Sequence, residues 1–398
     1  MDRKSRNGYR FVTDGRKGGM GMRKHFLDNI RWVTVVIVVV YHVLYMYNAE
    51  GILGGLGKVT DLAMQPWDVV QYLVYPWMMP VLFLVAGISA RLSLDRRSER
   101  EFVRNRTRRL LVPSTIGVVV FHVVQGYVSL SLGTAFDDLA RMQVPTPVVC
   151  LIMVASGTGV LWFMHLLWLY CMVLVVVRRR EKGRLLSLGE KTPTWMLAAF
   201  YLVVWGAGQV LNTPIVSVYR VAFYFAFFLL GYYVFSHDAT MERLKRGAVP
   251  LIVSAILLCV SFSLRYFVWG GGQNYADAPV NRGPLYVACA YVGSLALLSA
   301  MARFGDVCNG FTQWMSKMSF GLYVFHYLGV STVALVLAKP GRCPAVVCYL
   351  MSLVAGFAFG YGLQAVVSRI PFLRWAVLGI SESVDEGSGT CSVTTSCS

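Results

Sequence analysis

The chain has 398 residues, of which 56% are hydrophobic and only 14% are charged. A soluble domain of average composition carries about 25% charged residues, so this composition excludes an ordinary water-soluble enzyme and a disordered chain. The formal net charge of +17 would suit a nucleic-acid-binding protein, but the basic residues lie in short blocks between long apolar runs. The composition therefore predicts an integral membrane protein.

Ten apolar runs are long enough for helices that cross a bilayer, a length of roughly 20 residues. They lie at 29–47, 69–92, 110–132, 159–177, 195–211, 215–235, 249–267, 285–302, 314–337 and 345–367. A shorter apolar stretch at 145–156 suits a re-entrant or interfacial segment, with an eleventh span as the alternative. The pattern predicts an all-α membrane protein with about ten transmembrane helices.

The basic residues indicate how these helices are oriented. If the N-terminus is cytoplasmic and the spans alternate, 30 of the 37 Lys and Arg residues fall on the cytoplasmic side. This asymmetry follows the positive-inside rule and predicts that both termini are cytoplasmic. It also explains the basic charge without a nucleic-acid partner. The predicted organisation is a basic cytoplasmic arm at 1–24, one transmembrane domain at 25–375 and a disordered cytoplasmic tail at 376–398.

Histidines are the ionisable residues found in the middle of predicted spans. Four of the six lie there, namely His42, His122, His165 and His326, whereas all twenty Asp and Glu residues lie in tails, in loops or at helix ends. His42 follows the cytoplasmic Arg31 by 11 residues, which places it about 16 Å deep. A neutral imidazole is a natural general base near neutral pH. The alternative for each histidine is a structural hydrogen bond to a neighbouring carbonyl.

A block of arginines directly precedes the third predicted span. Arg106 and Arg109 share one face if the helix begins within this block, and paired guanidinium groups bind phosphate oxygens well. The alternative is a charge cluster that only keeps the loop on the cytoplasmic side and contacts anionic lipid. Arg97, earlier in the block, is expected to lie outside the site. The nine cysteines show no CxxC pair and no metal-ligand spacing, so neither a zinc site nor a disulfide framework is predicted.

Five short motifs occur in an order that resembles the membrane-bound acyltransferase-3 family of bacterial surface-glycan O-acyltransferases. The family's L-D-x-x-R with a later histidine, F-x-x-S-G, R-x-x-R-L, L-W-F and S-x-x-x-Y-x-x-H correspond here to residues 27–31 with His42, 83–87, 106–110, 161–163 and 319–326. Ala86 departs from the family's serine, so this position supplies no hydroxyl group.

The resemblance implies roles for individual residues. His42 corresponds to the family's catalytic base, and Arg106 and Arg109 correspond to the arginines assigned to the acyl-CoA donor. Asp28 and Arg31 match the opening motif and are expected in the same donor site. His326, Tyr323 or a backbone amide are candidates for stabilising the oxyanion. No metal is expected.

The resemblance implies a multi-pass enzyme of the bacterial inner membrane. It would move an acetyl or succinyl group from cytoplasmic acyl-CoA to a hydroxyl of an envelope glycan or a lipid-linked acceptor. The alternative from the residues alone is a secondary transporter of a small anionic solute. That alternative is disfavoured because carboxylates in the membrane interior, common in proton-coupled transporters, are missing from the sequence pattern.

Overall fold

The computed structural model describes residues 24–380 apart from 53, 213–218 and 271–272. The predicted basic arm, except Lys24, and residues 381–398 of the predicted tail lie outside this range. The described residues form eighteen α-helices and no strand, and their one β-bridge joins Asn212 to Arg220. The prediction of an all-α fold is confirmed for this part of the chain.

The helices are numbered α1 to α18 in chain order. Their bounds are His25–Met46, Val69–Leu94, Glu99–Arg106, Val112–Gly117, Val123–Leu132, Ala135–Arg141, Thr146–Gly157, Trp162–Glu181, Arg184–Glu190, Thr194–Ala207, Val221–Tyr233, Asp238–Arg246, Ala248–Ser263, Ala278–Asn281, Pro284–Phe304, Gly310–Val333, Ala345–Arg369 and Pro371–Leu378. Short 3₁₀ or π-helical turns join or extend several of them at Pro66–Asp68, Thr107–Leu111, Val118–His122, Gly159–Leu161, Leu264–Val268 and Ala334–Ala338.

Eight helical segments among the described residues are long and apolar enough to cross a membrane, or nine if the pair α11 and α12, bent by 107°, counts as one span. Two predicted spans, 195–211 and 215–235, coincide with the shorter helices α10 and α11 of 14 and 13 residues. The first part of the second span lies outside the described residues. The apolar stretch at 145–156 forms α7, a helix of 12 residues.

Helix α1 contacts α2, α15, α16 and α17. Its first residues are fixed at one end of the helix bundle, where Lys24 Nζ pairs with Asp238 Oδ1 at 2.6 Å and the Phe26 amide donates to Asp306 Oδ1 at 2.8 Å. This end, which also carries helix α3, is called the basic end. At the opposite end, buried Asp68 accepts hydrogen bonds from the Ala49 amide and from the Gln65 and Gln71 side chains.

Two glycines bring α2 and α11 into close contact. A Cβ added at Gly87 would collide with the backbone carbonyl of Phe228, and a Cβ added at Gly231 would collide with that of Leu84. Small residues allow helices in a membrane to pack at short separation, and Gly87 and Gly231 have this role here. The contact fixes α11 against the middle of α2.

The helical domain extends past the boundary predicted at residue 375. Helix α18 packs against α4, and its last residues Ala376, Val377 and Leu378 are buried. The prediction that the tail begins at 376 is therefore wrong for these three residues. Burial of their apolar side chains against α4 stabilises a helix that the short apolar run did not indicate.

Candidate active site

Two of the four predicted histidines meet in the interior of the bundle. His42 on α1 and His326 on α16 have ring centroids 5.0 Å apart, and His326 Nε2 lies 3.1 Å from His42 Nδ1. His326 is fully buried, whereas His42 is half-buried. The contact between α1 and α16 thus joins the first and last motifs noted in the sequence.

The hydrogen-bond partners assign the tautomer of each ring. His326 Nδ1 donates to the carbonyl oxygens of Leu322 at 3.0 Å and Tyr323 at 2.9 Å, because a carbonyl can only accept. Its Nε2 therefore carries a lone pair and accepts from His42 Nδ1. The same His42 Nδ1–H points to the Val38 carbonyl at 2.9 Å. In the neutral pair, His42 Nε2 is then the nitrogen with a free lone pair.

Tyrosine rings surround His42 on its remaining sides. Tyr41 and Tyr327 contact the imidazole edge-on at 5.2 Å, and Tyr45 lies at 6.0 Å. Within the described part of the chain, no side chain or carbonyl forms a hydrogen bond with His42 Nε2. A nitrogen that is unprotonated, unpartnered and part of a half-buried ring has the properties of a general base awaiting a hydroxyl.

The other two mid-span histidines are not part of this pair. His165 Nε2 donates to the Ser114 carbonyl at 2.7 Å, which is the structural alternative stated for these residues. His122 is buried and stacks on Phe325 with ring centroids 6.0 Å apart. Similar depth in the membrane therefore did not distinguish the site histidines from structural ones.

A cavity of about 430 Å³ opens near the basic end and brings the predicted arginines together. Its lining includes the guanidinium-bearing residues Arg31, Arg97, Arg106 and Arg109. We call it the arginine cavity. Its inner wall is apolar and aromatic, with Val35, Leu82, Ala86, Phe163 and Tyr323 among the residues. Such a cavity suits a ligand with an anionic group at one end and an uncharged arm at the other.

Helix α3 begins within the arginine block, at Glu99. Ser98 caps the helix in a capping box with Glu101, and the π-helical turn Thr107–Leu111 follows directly. Arg106 lies in the last turn of α3 and Arg109 in the π-helical turn, and both line the cavity. The Arg106 guanidinium also lies 5.1 Å from the ring centroid of Phe102. Arg106 and Arg109 therefore face one cavity, as the prediction of a helix that begins within the block requires.

Asp28 lies beside the arginine cavity and not in it. Its carboxylate Oδ1 pairs with Arg31 Nη1 at 2.6 Å, and Asp28 lines a neighbouring cavity of about 580 Å³ that shares Arg31 and Ser89 with the first. Arg31 Nη2 also donates to Ser89 Oγ, which in turn donates to the Val85 carbonyl at 2.7 Å. Asp28 and Ser89 thus hold the Arg31 side chain where the two cavities meet.

Three residues of this region were not identified from the sequence as part of a site. Ser89 supplies a hydroxyl one turn after Ala86, the position at which the family's serine is missing. Asn105 lines the arginine cavity, and so does Arg97, so the expectation that Arg97 lies outside the site is wrong. The chain turns between α2 and α3 and brings Arg97 back over the cavity. The sequence could have indicated Ser89, because it follows Ala86 by three residues. This spacing is about one helical turn and places both residues on the same helix face.

The arginine cavity approaches the histidine pair from the basic end. Val35 on its inner wall precedes His42 by seven residues on α1, which corresponds to about 10 Å. Tyr323, also on that wall, precedes His326 by one turn, and its hydroxyl donates to the Val160 carbonyl. The Tyr323 hydroxyl and His326 Nε2 are thus both engaged within the protein, which argues against either as the oxyanion donor.

The comparisons agree with the motifs. The family model described as an acyltransferase domain, of the acyltransferase-3 family, matches residues 24–363. No match was found among curated proteins or among solved structures. The matched range begins next to α1 and contains both histidines and all the residues of the arginine cavity. The chain therefore belongs to the acyltransferase-3 family and is a membrane acyltransferase.

Proposed function

We propose that the protein transfers an acyl group, acetyl or succinyl, from cytoplasmic acyl-CoA to a hydroxyl group of an envelope glycan or a lipid-linked acceptor. The observation that carries this proposal is the His42–His326 pair, which leaves His42 Nε2 as a base with a free lone pair. Family membership supports acyl transfer and weakens the transporter alternative. The inner membrane of a bacterium is the proposed location.

The donor would bind with its phosphates in the arginine cavity. Arg106 and Arg109 provide planar guanidinium groups for phosphate oxygens, and Arg31 and Arg97 add positive charge to the same cavity. The apolar inner wall suits the uncharged pantetheine arm, which would carry the thioester toward His42. The span from Arg31 to His42, about 16 Å along α1, is within reach of an extended arm. Asp28 would orient Arg31 through their ion pair rather than contact the donor.

The transfer would proceed directly from donor to acceptor. His42 Nε2 takes the proton of the acceptor hydroxyl as its oxygen attacks the thioester carbonyl carbon. A carbon–oxygen bond forms, the carbon–sulfur bond breaks, and the leaving CoA thiolate receives the proton from His42. The products are an ester and free CoA, and His42 returns to its starting form.

His326 would act as a positioning residue in this mechanism. Its Nε2 lone pair accepts from His42 Nδ1, and this bond strengthens when His42 becomes positively charged. His326 in turn is held by two backbone carbonyls of its own helix. The arrangement fixes both the ring orientation and the tautomer of the base, as an orienting carboxylate does in other enzymes.

The test is a turnover measurement on the purified protein in lipid nanodiscs with radiolabelled acetyl-CoA and with succinyl-CoA. Release of free CoA that depends on an added glycan acceptor, with label recovered in an ester, supports the proposal. Movement of a solute across proteoliposomes without thioester cleavage would contradict it. Mass spectrometry of envelope glycans from cells with and without the gene would then identify the acceptor.

A further inference from the structure

A fully buried arginine lies at the end of the bundle opposite the basic end. Arg220 directly precedes α11 and is 1% exposed. None of its three guanidinium nitrogens has a hydrogen-bond partner among the described residues. Instead the guanidinium stacks on Phe223, 3.8 Å from the ring centroid, and lies 5.1 Å from the centroid of Tyr286 without the geometry of a hydrogen bond.

The charge of Arg220 has no hydrogen-bonding or ionic partner among the residues that the structure describes. An arginine stays protonated under all ordinary conditions, and a buried charge is stable only when another charge or several hydrogen bonds compensate it. No ion pair of Arg220 occurs within the described residues. The neighbouring segment 213–218 contains no Asp or Glu. Stacking on aromatic rings compensates only part of the cost of removing a guanidinium from water.

Three carboxylates of this end are buried or half-buried, and each has other partners. Asp277 accepts a hydrogen bond from the Asn274 amide at 2.9 Å. Glu50 accepts a hydrogen bond from the Tyr72 hydroxyl, and burial raises the pKa of the Glu50 carboxyl, which favours its neutral form. Asp68 is held by Gln65, Gln71 and the Ala49 amide. None of the three forms an ion pair with Arg220. The compensating negative charge is therefore expected to come from a bound molecule.

A continuous series of tyrosines connects Arg220 with His42. Tyr286 contacts Tyr75 with ring centroids 6.3 Å apart, Tyr75 contacts Tyr41 at 5.8 Å, and Tyr41 contacts the His42 ring at 5.2 Å. Tyr75 is only half-buried, as is His42. Aromatic rings with polar edges suit the faces and hydroxyl groups of a sugar. Arg220 and His42 thus lie at the two ends of one series of aromatic contacts.

We propose that Arg220 binds a carboxylate or phosphate group of the acyl acceptor while an acceptor hydroxyl lies at His42 Nε2. The acceptor is then an acidic glycan or a phosphate-linked sugar, and not a neutral one. The identity of the ligand as the acceptor rests on the proposed function, whereas an anion site at Arg220 does not. The donor phosphates would bind at the other end of the bundle, so the two anionic groups would not compete.

The experiment compares three probes that share one sugar ring and differ in the group at C6: methyl glucoside, methyl glucuronide and methyl glucoside 6-phosphate. Their affinities for the purified protein in nanodiscs are measured by calorimetry without acyl-CoA. We expect at least one charged probe to bind about tenfold or more tightly than methyl glucoside, because a guanidinium forms charge-assisted hydrogen bonds with an oxyanion. The ratio between the two charged probes distinguishes a carboxylate from a phosphate. Equal affinities, or no binding of any probe, would overturn the proposal.

Substitutions then assign the anion site to Arg220. Arg220→Met should remove the preference for the charged probe, and Arg220→Lys should keep part of it. Arg265→Met is the matched control, because Arg265 lies at the same end and contacts the Tyr266 ring at 4.9 Å but is exposed. It should bind all three probes like the wild type. A preference that persists in Arg220→Met, or that is lost equally in Arg265→Met, would contradict the assignment.

Further measurements distinguish anion binding by Arg220 from a purely structural role of this residue. They also show whether a failure lies in this proposal or in the proposed function. The Tm of Arg220→Met without ligand should equal or exceed that of the wild type, because the variant loses an uncompensated buried charge. A markedly lower Tm would mean that Arg220 stabilises the fold and would overturn the proposal. The affinity for acetyl-CoA should be unchanged in Arg220→Met, and a loss there would place Arg220 in the donor site. Absence of acyl turnover in all proteins would contradict the proposed function but leave the binding result intact.

Discussion

His326 Nε2 lies 3.1 Å from His42 Nδ1, although the two residues are 284 positions apart in the chain. Each ring also bonds to backbone carbonyls of its own helix, so the proton positions follow from the geometry: both Nδ1 atoms carry hydrogens. The pair therefore has one free lone pair, on His42 Nε2. The two histidines therefore have different roles. His42 presents its free lone pair to the reactants, and His326 orients the His42 ring.

Replacing His326 tests the positioning role. His326→Ala should lower kcat about 10- to 100-fold, the usual cost of losing a group that orients a functional histidine. The KM for acyl-CoA should remain unchanged, because His326 does not line the arginine cavity. His326→Gln should recover part of kcat, since its amide can both donate and accept. Steady-state kinetics with acetyl-CoA measure both values, and a change in KM alone would exclude this role.

The arginine cavity is tested by single substitutions with a control from the same helix. Arg106→Ala or Arg109→Ala should weaken acyl-CoA binding by roughly 1.5–3 kcal/mol, because each removes a charge-assisted contact with a phosphate. Lysine at either position should restore binding only partly. Arg104 is exposed and does not line the cavity, so Arg104→Ala should bind acyl-CoA normally. Equal losses in all three alanine variants would show that the block acts only as diffuse charge.

Close packing of α2 against α11 makes a prediction about stability. Gly87→Ala should destabilise the protein by about 1–3 kcal/mol, because the added methyl group meets the Phe228 carbonyl and forces the helices apart. Gly362 is the control, since a Cβ there meets nothing within 4 Å. Gly362→Ala should be neutral or slightly stabilising in its helix. Thermal unfolding in nanodiscs compares the two, and a similar Tm for both variants would refute the packing argument.

The orientation of the bundle is tested by reporter fusions. A reporter that is active only outside the cytoplasm should be silent after Gly379 and active when inserted in the loop 270–281. The reason is the asymmetry of basic residues, of which 30 of 37 fall on the side predicted to be cytoplasmic. The opposite pattern at either position would contradict the predicted topology.

The helices were predictable from the sequence to the extent that their apolar runs are long. Runs of about 20 residues imply helices whatever their neighbours, and the structure has a helix at each of the ten predicted positions. Helix α18 was missed because its eight residues form no such run and are stabilised by packing on α4. The exact limits of α10 and α11, which are shorter than the predicted spans, likewise depend on tertiary contacts.

The residues of the site were identified individually, but their arrangement was not. Hydropathy does not reveal which helices are neighbours, so nothing in the sequence indicated that His42 would meet His326 while His165 meets a backbone carbonyl. Arg97 lines the arginine cavity because the chain turns between α2 and α3, and the hydrophobic periodicity of a sequence does not describe such a turn. Arg220 lies at a span end, where an arginine is ordinary, and its burial results from packing against Phe223 and Tyr286.

The central claim is that His42 removes the proton of the acceptor hydroxyl, and the most direct test is turnover of labelled acetyl-CoA by purified His42→Ala. We expect the rate to fall about 10²- to 10⁴-fold, the usual effect of removing a general base. Membrane insertion, Tm and acetyl-CoA affinity should stay near those of the wild type. His165→Ala, which removes a histidine bonded to the Ser114 carbonyl, should lose much less activity. Wild-type turnover by a well-folded His42→Ala protein would contradict the mechanism.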